Sequence, residues 1–591
     1  MLEISRIVSR VRRAYLGLQE EKPMRRNEIF ETMLAKGYFP KELPSVFETK
    51  SFAVNAGEIF DEWNKKGIIK KDICRRKING AQRRMAGCYL YKLASSDPEI
   101  ISIPKKNYER RNIHLVHPVP QTALVYELAE NWRIIQKWLA KQKYSMEALD
   151  IKNDENRSIN EINFIYHFAK KKYIESVSDW VVRTDISRFY PSIYTHSIPW
   201  AAYGKGNVKR DINKFKGSLA DRLDILVRSC NKNQTIGIPI GPDTSRILAE
   251  IISSSIDSEI FRDKKMVGAS QVDRLQDDWF VGLNSLEDAE KVLSLITIKY
   301  REYGLDINGS KTSIDRTVIY VGDPWLVEIG SFLSHSRRNL KGARLREFLN
   351  LVLRQQVDYP RDPVMNYALS VLEGKNYADD EIENLESFLL KAIVLSPQSI
   401  DRICRILVNV NSGGEKISRK RFKSRLISLA EKHLERGDIF EAMWLIYTLR
   451  GLKISINSRK LAENIEYDGG SVIPLILLDM KNASLYHGRL PTNNWENRIS
   501  NIDPLADKEW LLAYEGIRQG WIKDNSNIMN HQFFKSMSSR NVYFYDKTKN
   551  VRKSVSVRRQ SRSIRVGQNA SMERMIRALR IFGSNIRGIE Y

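Results

Sequence analysis

Only four cysteines occur in 591 residues, Cys74, Cys88, Cys230 and Cys404, and no two form a CxxC pair. That scarcity argues against a zinc ribbon or disulfide framework and predicts a reducing compartment. The eight histidines are scattered too, without metal-ligand spacing. Long apolar runs are missing: VIPLILL at 472–478 is among the longest, far short of a bilayer span. At the N-terminus, MLEISRIVSRVRRAY carries arginines where a signal peptide would have its apolar core. A cytoplasmic chain with no membrane partner is expected. Acidic charge is the last deficit, with 71 Asp and Glu against 96 Lys and Arg, a net +25. Such a surplus predicts a polyanionic partner, and nucleic acid fits best because bound phosphates release condensed counterions.

What is present is a globular chain, 42% hydrophobic, with length for about two to four domains. Residues 1–95 read as a basic helical region: Ile4, Ile7, Val8 and Val11 alternate with Arg6, Arg10, Arg12 and Arg13 at helical spacing, and Lys70, Lys71, Arg75, Arg76, Lys77, Arg83 and Arg84 form a second basic cluster. From 101, an extended, Pro-containing stretch carrying Lys105, Arg110 and Arg111 leads into a helix near Ala123 to Trp132. Cations here suit an incoming triphosphate, because guanidinium groups bind phosphate oxygens bidentately. By itself the stretch is an ordinary basic loop.

The informative part runs from Val181 to Ile319. VVRTD at 181–185 reads as a buried strand with Asp185 near its end, and Tyr190 follows five residues later. GIPIGPDTSRILAEII at 237–252 is a glycine turn, with Gly241 before Pro242, feeding a helix that carries Ser245. VDRLQDDWFVGL at 272–283 is a hairpin with Asp277 and Asp278 at its tip, and GLDINGSKTSI at 304–314 places Lys311 between a turn and a strand. Adjacent carboxylates repel unless a cation offsets them. Asp185, Asp277 and Asp278 together predict a polymerase palm holding two Mg2+ ions, or Mn2+, in the manner of two-metal phosphoryl transfer. Lys311 would meet the leaving pyrophosphate. The ring of Tyr190 would exclude a 2′-hydroxyl and select dNTP.

A second acidic pair, Asp379 and Asp380 in YADD, opens the helical run DEIENLESFLLKAIV, where acidic residues favour the helix N-terminus. No strand pair brackets it, so the catalytic pair is placed at Asp277 and Asp278.

Asp185 to Tyr190, GIPIG with Ser245, the acidic pair, and GLxIN with Lys311 and Thr312 resemble reverse transcriptase palm motifs. YTHSIPW at 194–200 and YERRNIHLVHPVPQTAL at 108–124 resemble more specifically the AbiK-type abortive-infection reverse transcriptases of bacterial antiphage defence. Leu275 stands where the tyrosine usual before the acidic pair would be. The resemblance implies substrate contacts from Lys105, Arg110, Arg111, Ile186, Tyr190, Gly241, Ser245 and Lys311. It also implies DNA synthesis, templated or not, with a DNA product and a noncoding RNA as expected partners, assembly into trimers or hexamers, and priming from a tyrosine. Tyr15, Tyr38, Tyr543, Tyr545 and Tyr591 are the tyrosines nearest chain ends or in expected flexible segments. A templated enzyme of retron or intron type and a catalytically silent RNA-binding scaffold are the alternatives.

Beyond about 345 the chain is a series of amphipathic helices, such as LREFLNLVLRQQ and IFEAMWLIYTLRGL, whose apolar faces require stacked neighbours. The expected architecture is α+β: a right-hand polymerase with fingers and palm over 96–344, an all-α helical-repeat domain over 345–546, and a basic tail over 547–591.

Overall fold

The computed structural model describes residues 24–551, except 79–80, 106–108, 146–148, 154–155, 161, 163, 264–270, 319–322, 337–339, 413–416 and 467–469. The expected helix around Ile4 to Val11 and most of the basic tail lie outside the described residues.

Helices Arg26–Lys36 and Lys50–Lys65 open the described chain. The basic segment after them is not helical as expected: β1 (Lys70–Ile78) and β2 (Ala81–Lys92) pair antiparallel, with a register shift between Ile73 and Arg75. Asn79-Gly80 joins them in sequence, the strongest short-range hairpin signal, and runs of adjacent cations had obscured the strand pattern.

A second hairpin, β3 (Glu99–Pro104) with β4 (Arg110–Leu115), leads into the helix Pro118–Glu130. His117 caps that helix, its Nδ1 accepting from the Val119 amide, while Pro118 at the first position has no amide to satisfy.

The central sheet is four-stranded and antiparallel, in the order β6 (Val272–Leu275), β7 (Asp278–Leu283), β5 (Trp180–Thr184), β8 (Ser313–Arg316). Side chains alternate across it as strand geometry requires. Val182 and Val281 enter the main core, while Val181 and Phe280 pack with Ile174 of the helix Phe164–Ser176 on the other face. Gly282 admits that helix: a Cβ there would come within 2.2 Å of Ser178 Oγ and 2.5 Å of Ile174 Cγ2.

From Gly342 onward the described elements are helical. Gly342–Asp358, Asp379–Leu395, Ile400–Ser412 and Ile439–Gly451 pack in succession, and Val472–Asn482 and Trp510–Arg518 continue the series. Ile439–Gly451 is buried along nearly its whole length because it also covers β3. The far end of this region returns to the beginning of the chain. Phe47 bridges Tyr545, and Trp63 Nε1 donates to Ser536 Oγ at 2.7 Å. A mixed, helix-rich architecture with small sheets is therefore observed, with a helical region following the sheet.

Candidate active site

β5 delivers Asp185. Thr184 pairs with Trp279 of β7, so the next residue, Asp185, lies level with Asp278 on the neighbouring strand. Asp185 is 5% exposed, held from behind where the Asn308 amide donates to its carbonyl at 2.6 Å and the Ser187 amide donates to Asp306 O at 2.8 Å. Leu275 pairs with Asp278, leaving Gln276 and Asp277 as a two-residue turn. Gln276 adopts φ +57°, the left-handed region, which turns the chain tightly enough to bring Asp277 back beside β5.

The three carboxylates share one place. Burial, then Asp278 and Asp185, push the Asp277 carboxyl up to about 8. Burial and Asp185 also raise Asp278, partly offset by Lys311, Lys171 and Lys105. Lys311 Nζ donates directly to Asp185 Oδ2. Burial opposes its charge, but Asp185 and the neighbouring carboxylates hold its pKa above the ordinary lysine range. An all-oxygen donor set with excess negative charge fits a hard divalent cation such as Mg2+ or Mn2+, and Asp185, Asp277 and Asp278 are the residues that would hold it.

Other expected contacts divide. Tyr190 lies in the short helix Phe189–Ser192, started by Arg188 at φ +46°, and its carbonyl accepts from the Ile238 amide at 3.1 Å. Burial, then Asp277, raise its phenol, and Arg246, Glu250 and Arg111 act on it too, so the ring stands beside the carboxylates. Arg111 is half exposed with a loose 3.8 Å pair to Glu42. Lys105 pairs with Glu109 at 3.6 Å and is close enough to act on Asp278.

Arg110, by contrast, does not join this group. Adjacent strand residues point to opposite faces, and Arg110 is turned to the helical region. It meets Glu441 at 2.7 Å and Asp438 at 2.9 Å, with Ser102 also accepting. Ile186 and Ser245 are 1% and 2% exposed, so both side chains pack in the core. Gly241 has a structural reason: at φ +127°, a Cβ would fall 2.6 Å from Pro40 Cγ.

Two of the five tyrosines are buried, not flexible. Tyr38 Oη donates to Val116 O at 2.7 Å and Tyr545 Oη to Asp479 Oδ2 at 2.8 Å. Tyr543 is half-buried, and Tyr15 and Tyr591 lie outside the described residues. Asp379 and Asp380 occupy the first turn of Asp379–Leu395, exposed. Among the described residues, His433, Asp438 and Glu441 bring their ligand atoms within 4.8 Å of one another, which their sequence spacing did not announce. The Arg110 guanidinium already pairs with both carboxylates of that group.

Three supports went unread in the sequence. Arg157 donates to Asp243 Oδ1 (2.6 Å), Phe39 O and Gly241 O, fixing the glycine turn before the helix Asp243–Phe261. His114 Nδ1 accepts from the Ile240 amide at 3.0 Å, and its own amide donates to Ile240 O at 2.8 Å. Arg274, one position before Leu275, is wholly buried. An arginine next to Asp273 in a short, buried strand was the available signal.

No family model and no curated protein matches the chain. Solved structures that align with it include apo telomerase from Candida tropicalis, at 12% identity and TM-score 0.28, covering 73% of this chain and 72% of that one. Telomerase from Candida albicans in complex with a TWJ fragment of telomeric RNA aligns at 12% identity and TM-score 0.25, covering 73% and 69%. Scores this low carry no functional inference.

Proposed function

We propose that the chain is a nucleotidyltransferase of polymerase type that extends DNA from dNTPs. The observation that carries this is the meeting of Asp185, Asp277 and Asp278 at the ends of adjacent antiparallel strands, with Lys311 on Asp185. In the reaction a 3′-hydroxyl oxygen loses its proton to solvent and bonds to the α-phosphorus of the dNTP, the bond to the β-phosphate oxygen breaks, and pyrophosphate leaves. Divalent cations held by the three carboxylates would supply Lewis-acid activation of the hydroxyl and neutralise the leaving group. Lys311 lies in direct contact with the Asp185 carboxylate, from which its ammonium can move to pyrophosphate. Lys105 and Arg111, both beside the site and only loosely paired, are free to bind triphosphate oxygens. Tyr190 walls the sugar side.

The sequence resemblance to abortive-infection reverse transcriptases supports the finer reading of an antiphage DNA polymerase, acting with or without a template, primed on a protein tyrosine and assembled as a homo-oligomer. Incorporation of labelled dNTP tests the core of it. Asp277→Asn and Asp278→Asn should abolish incorporation, whereas Asp379→Ala and Asp380→Ala should retain it; incorporation surviving in Asp277→Asn would overturn the assignment. Mass spectrometry of the protein after dNTP exposure tests priming, and the absence of a nucleotide adduct on any tyrosine would refute it.

A further inference from the structure

Arg274 sits behind the acidic turn with no exposed side-chain surface, and each nitrogen of its guanidinium has an acceptor. Nε meets Asp257 at 2.8 Å, and Nη2 meets Glu250 at 2.6 Å. Nη1 donates to the Gln276 carbonyl at 2.8 Å and to Glu250 at 3.2 Å. Glu250 and Asp257 are seven residues apart on the helix Asp243–Phe261, two turns along one face, so both carboxylates reach the same guanidinium.

The contact to Gln276 O is the informative one. That carbonyl belongs to the peptide joining Gln276 to Asp277, and Gln276 is the non-glycine residue held at φ +57°. A side chain in the left-handed region is disfavoured, and such a backbone persists only where its surroundings enforce it. Arg274 provides that enforcement. It fixes the peptide plane immediately before Asp277 and ties it to the helix following the glycine turn. The Arg274 amide itself donates to Tyr144 O at 3.2 Å, which anchors the strand on its other side.

We infer that Arg274 is a positioning residue, which sets the direction of the Asp277 carboxylate through the Gln276 peptide and so tunes the affinity of the three-carboxylate site for a divalent cation. This rests on the reading of that site as a cation centre. Lysine could keep the positive charge but not the planar fork that serves three acceptors at once. Supporting partners of metal ligands typically change metal affinity by about 10–100-fold when removed.

The test is Mn2+ binding to the full chain, followed by loss of the free-ion electron paramagnetic resonance signal, with no nucleotide present. Arg274→Lys and the milder Glu250→Gln, each checked for wild-type circular dichroism, should weaken the cation site by about 10-fold and a lesser factor respectively. Asp277→Asn should remove it. Should Arg274→Lys fail to fold, the Glu250→Gln titration decides alone. Wild-type affinity in a folded Glu250→Gln or Arg274→Lys protein would overturn the positioning inference while leaving the cation centre intact. Absence of any Asp277-dependent Mn2+ binding in the wild type would overturn both.

Discussion

Lys311 and Asp185 are in direct contact although 126 positions separate them in the chain, the ammonium donating to the carboxylate that is also the expected cation ligand. An ammonium and a divalent cation compete for one oxygen, so Lys311 stabilises the carboxylate cluster when cations are scarce and opposes their entry. Lys311→Ala is therefore expected to melt at lower temperature in EDTA yet to reach its Mg2+-stabilised plateau at lower Mg2+ concentration. Incorporation should fall in the same variant, because pyrophosphate loses its cation. Thermal melts over a Mg2+ series check this; an unchanged Mg2+ midpoint would refute the competition.

Two histidines at the end of the β3–β4 hairpin and the start of the helix after it should make stability pH-dependent. Burial lowers His114 to about 4 and His117 to about 3, against an ordinary value of 6.5. His114 Nδ1 accepts from the Ile240 amide and His117 Nδ1 from Val119, so both are held neutral. With the folded pKa depressed below the unfolded one, the unfolded chain binds more protons. The stabilisation is complete above about 6.5 and is lost as pH falls toward 4, at up to about 1.4 kcal/mol per pH unit for each imidazole. Urea midpoints should decline between pH 6.5 and 4.5, and His114→Gln, which keeps an acceptor, should show a shallower decline. An equal slope in the variant would exclude His114 as a contributor.

Arg110 is expected to act on stability rather than on nucleotide binding. Its guanidinium spans Glu441 and Asp438, and Glu441 is 1% exposed, so truncation strands a buried carboxylate. The loss for Arg110→Ala should be about 2 kcal/mol, below the value for a fully buried pair because Arg110 keeps some exposure. Denaturant unfolding measures it. The KM for dNTP should stay within about twofold, whereas Arg111→Ala should raise it by about 10-fold, the worth of one charge-assisted contact. The reverse pattern would return Arg110 to the nucleotide site.

The contrast between Arg110 and Arg111 shows what a sequence can and cannot carry. Asp185 at a strand end and Asp277-Asp278 in a hairpin were legible because local pattern alone places them. The later helices were legible from their apolar periodicity. Which of two adjacent arginines faces the site is decided by the partner across the fold, here Glu441, 331 positions away. Arg274 was hidden for the same reason, since its acceptors Asp257 and Glu250 lie 17 and 24 positions back on a helix. The burial of Ile186, Ser245, Tyr38 and Tyr545 likewise follows from packing between distant segments.

Tyr190 should decide which sugar is accepted. Its carbonyl is fixed by the Ile238 amide, Phe189 packs edge-on against its ring at 5.6 Å, and Gly237 at φ +87° keeps the adjoining turn close to Pro191. The ring thus has little freedom to withdraw when a 2′-hydroxyl is presented. A bulky group that cannot move discriminates by overlap, whereas a hydrogen-bonding group would discriminate by affinity. Tyr190→Val removes the bulk, and Tyr190→Phe removes only the hydroxyl. If sterics govern, rNTP incorporation should rise by at least about 10-fold relative to dNTP in the valine variant, corresponding to about 1.4 kcal/mol. The phenylalanine variant should remain selective. Parallel kcat/KM measurements with dNTP and rNTP separate the cases, and a phenylalanine variant as permissive as valine would assign selection to the phenolic oxygen instead.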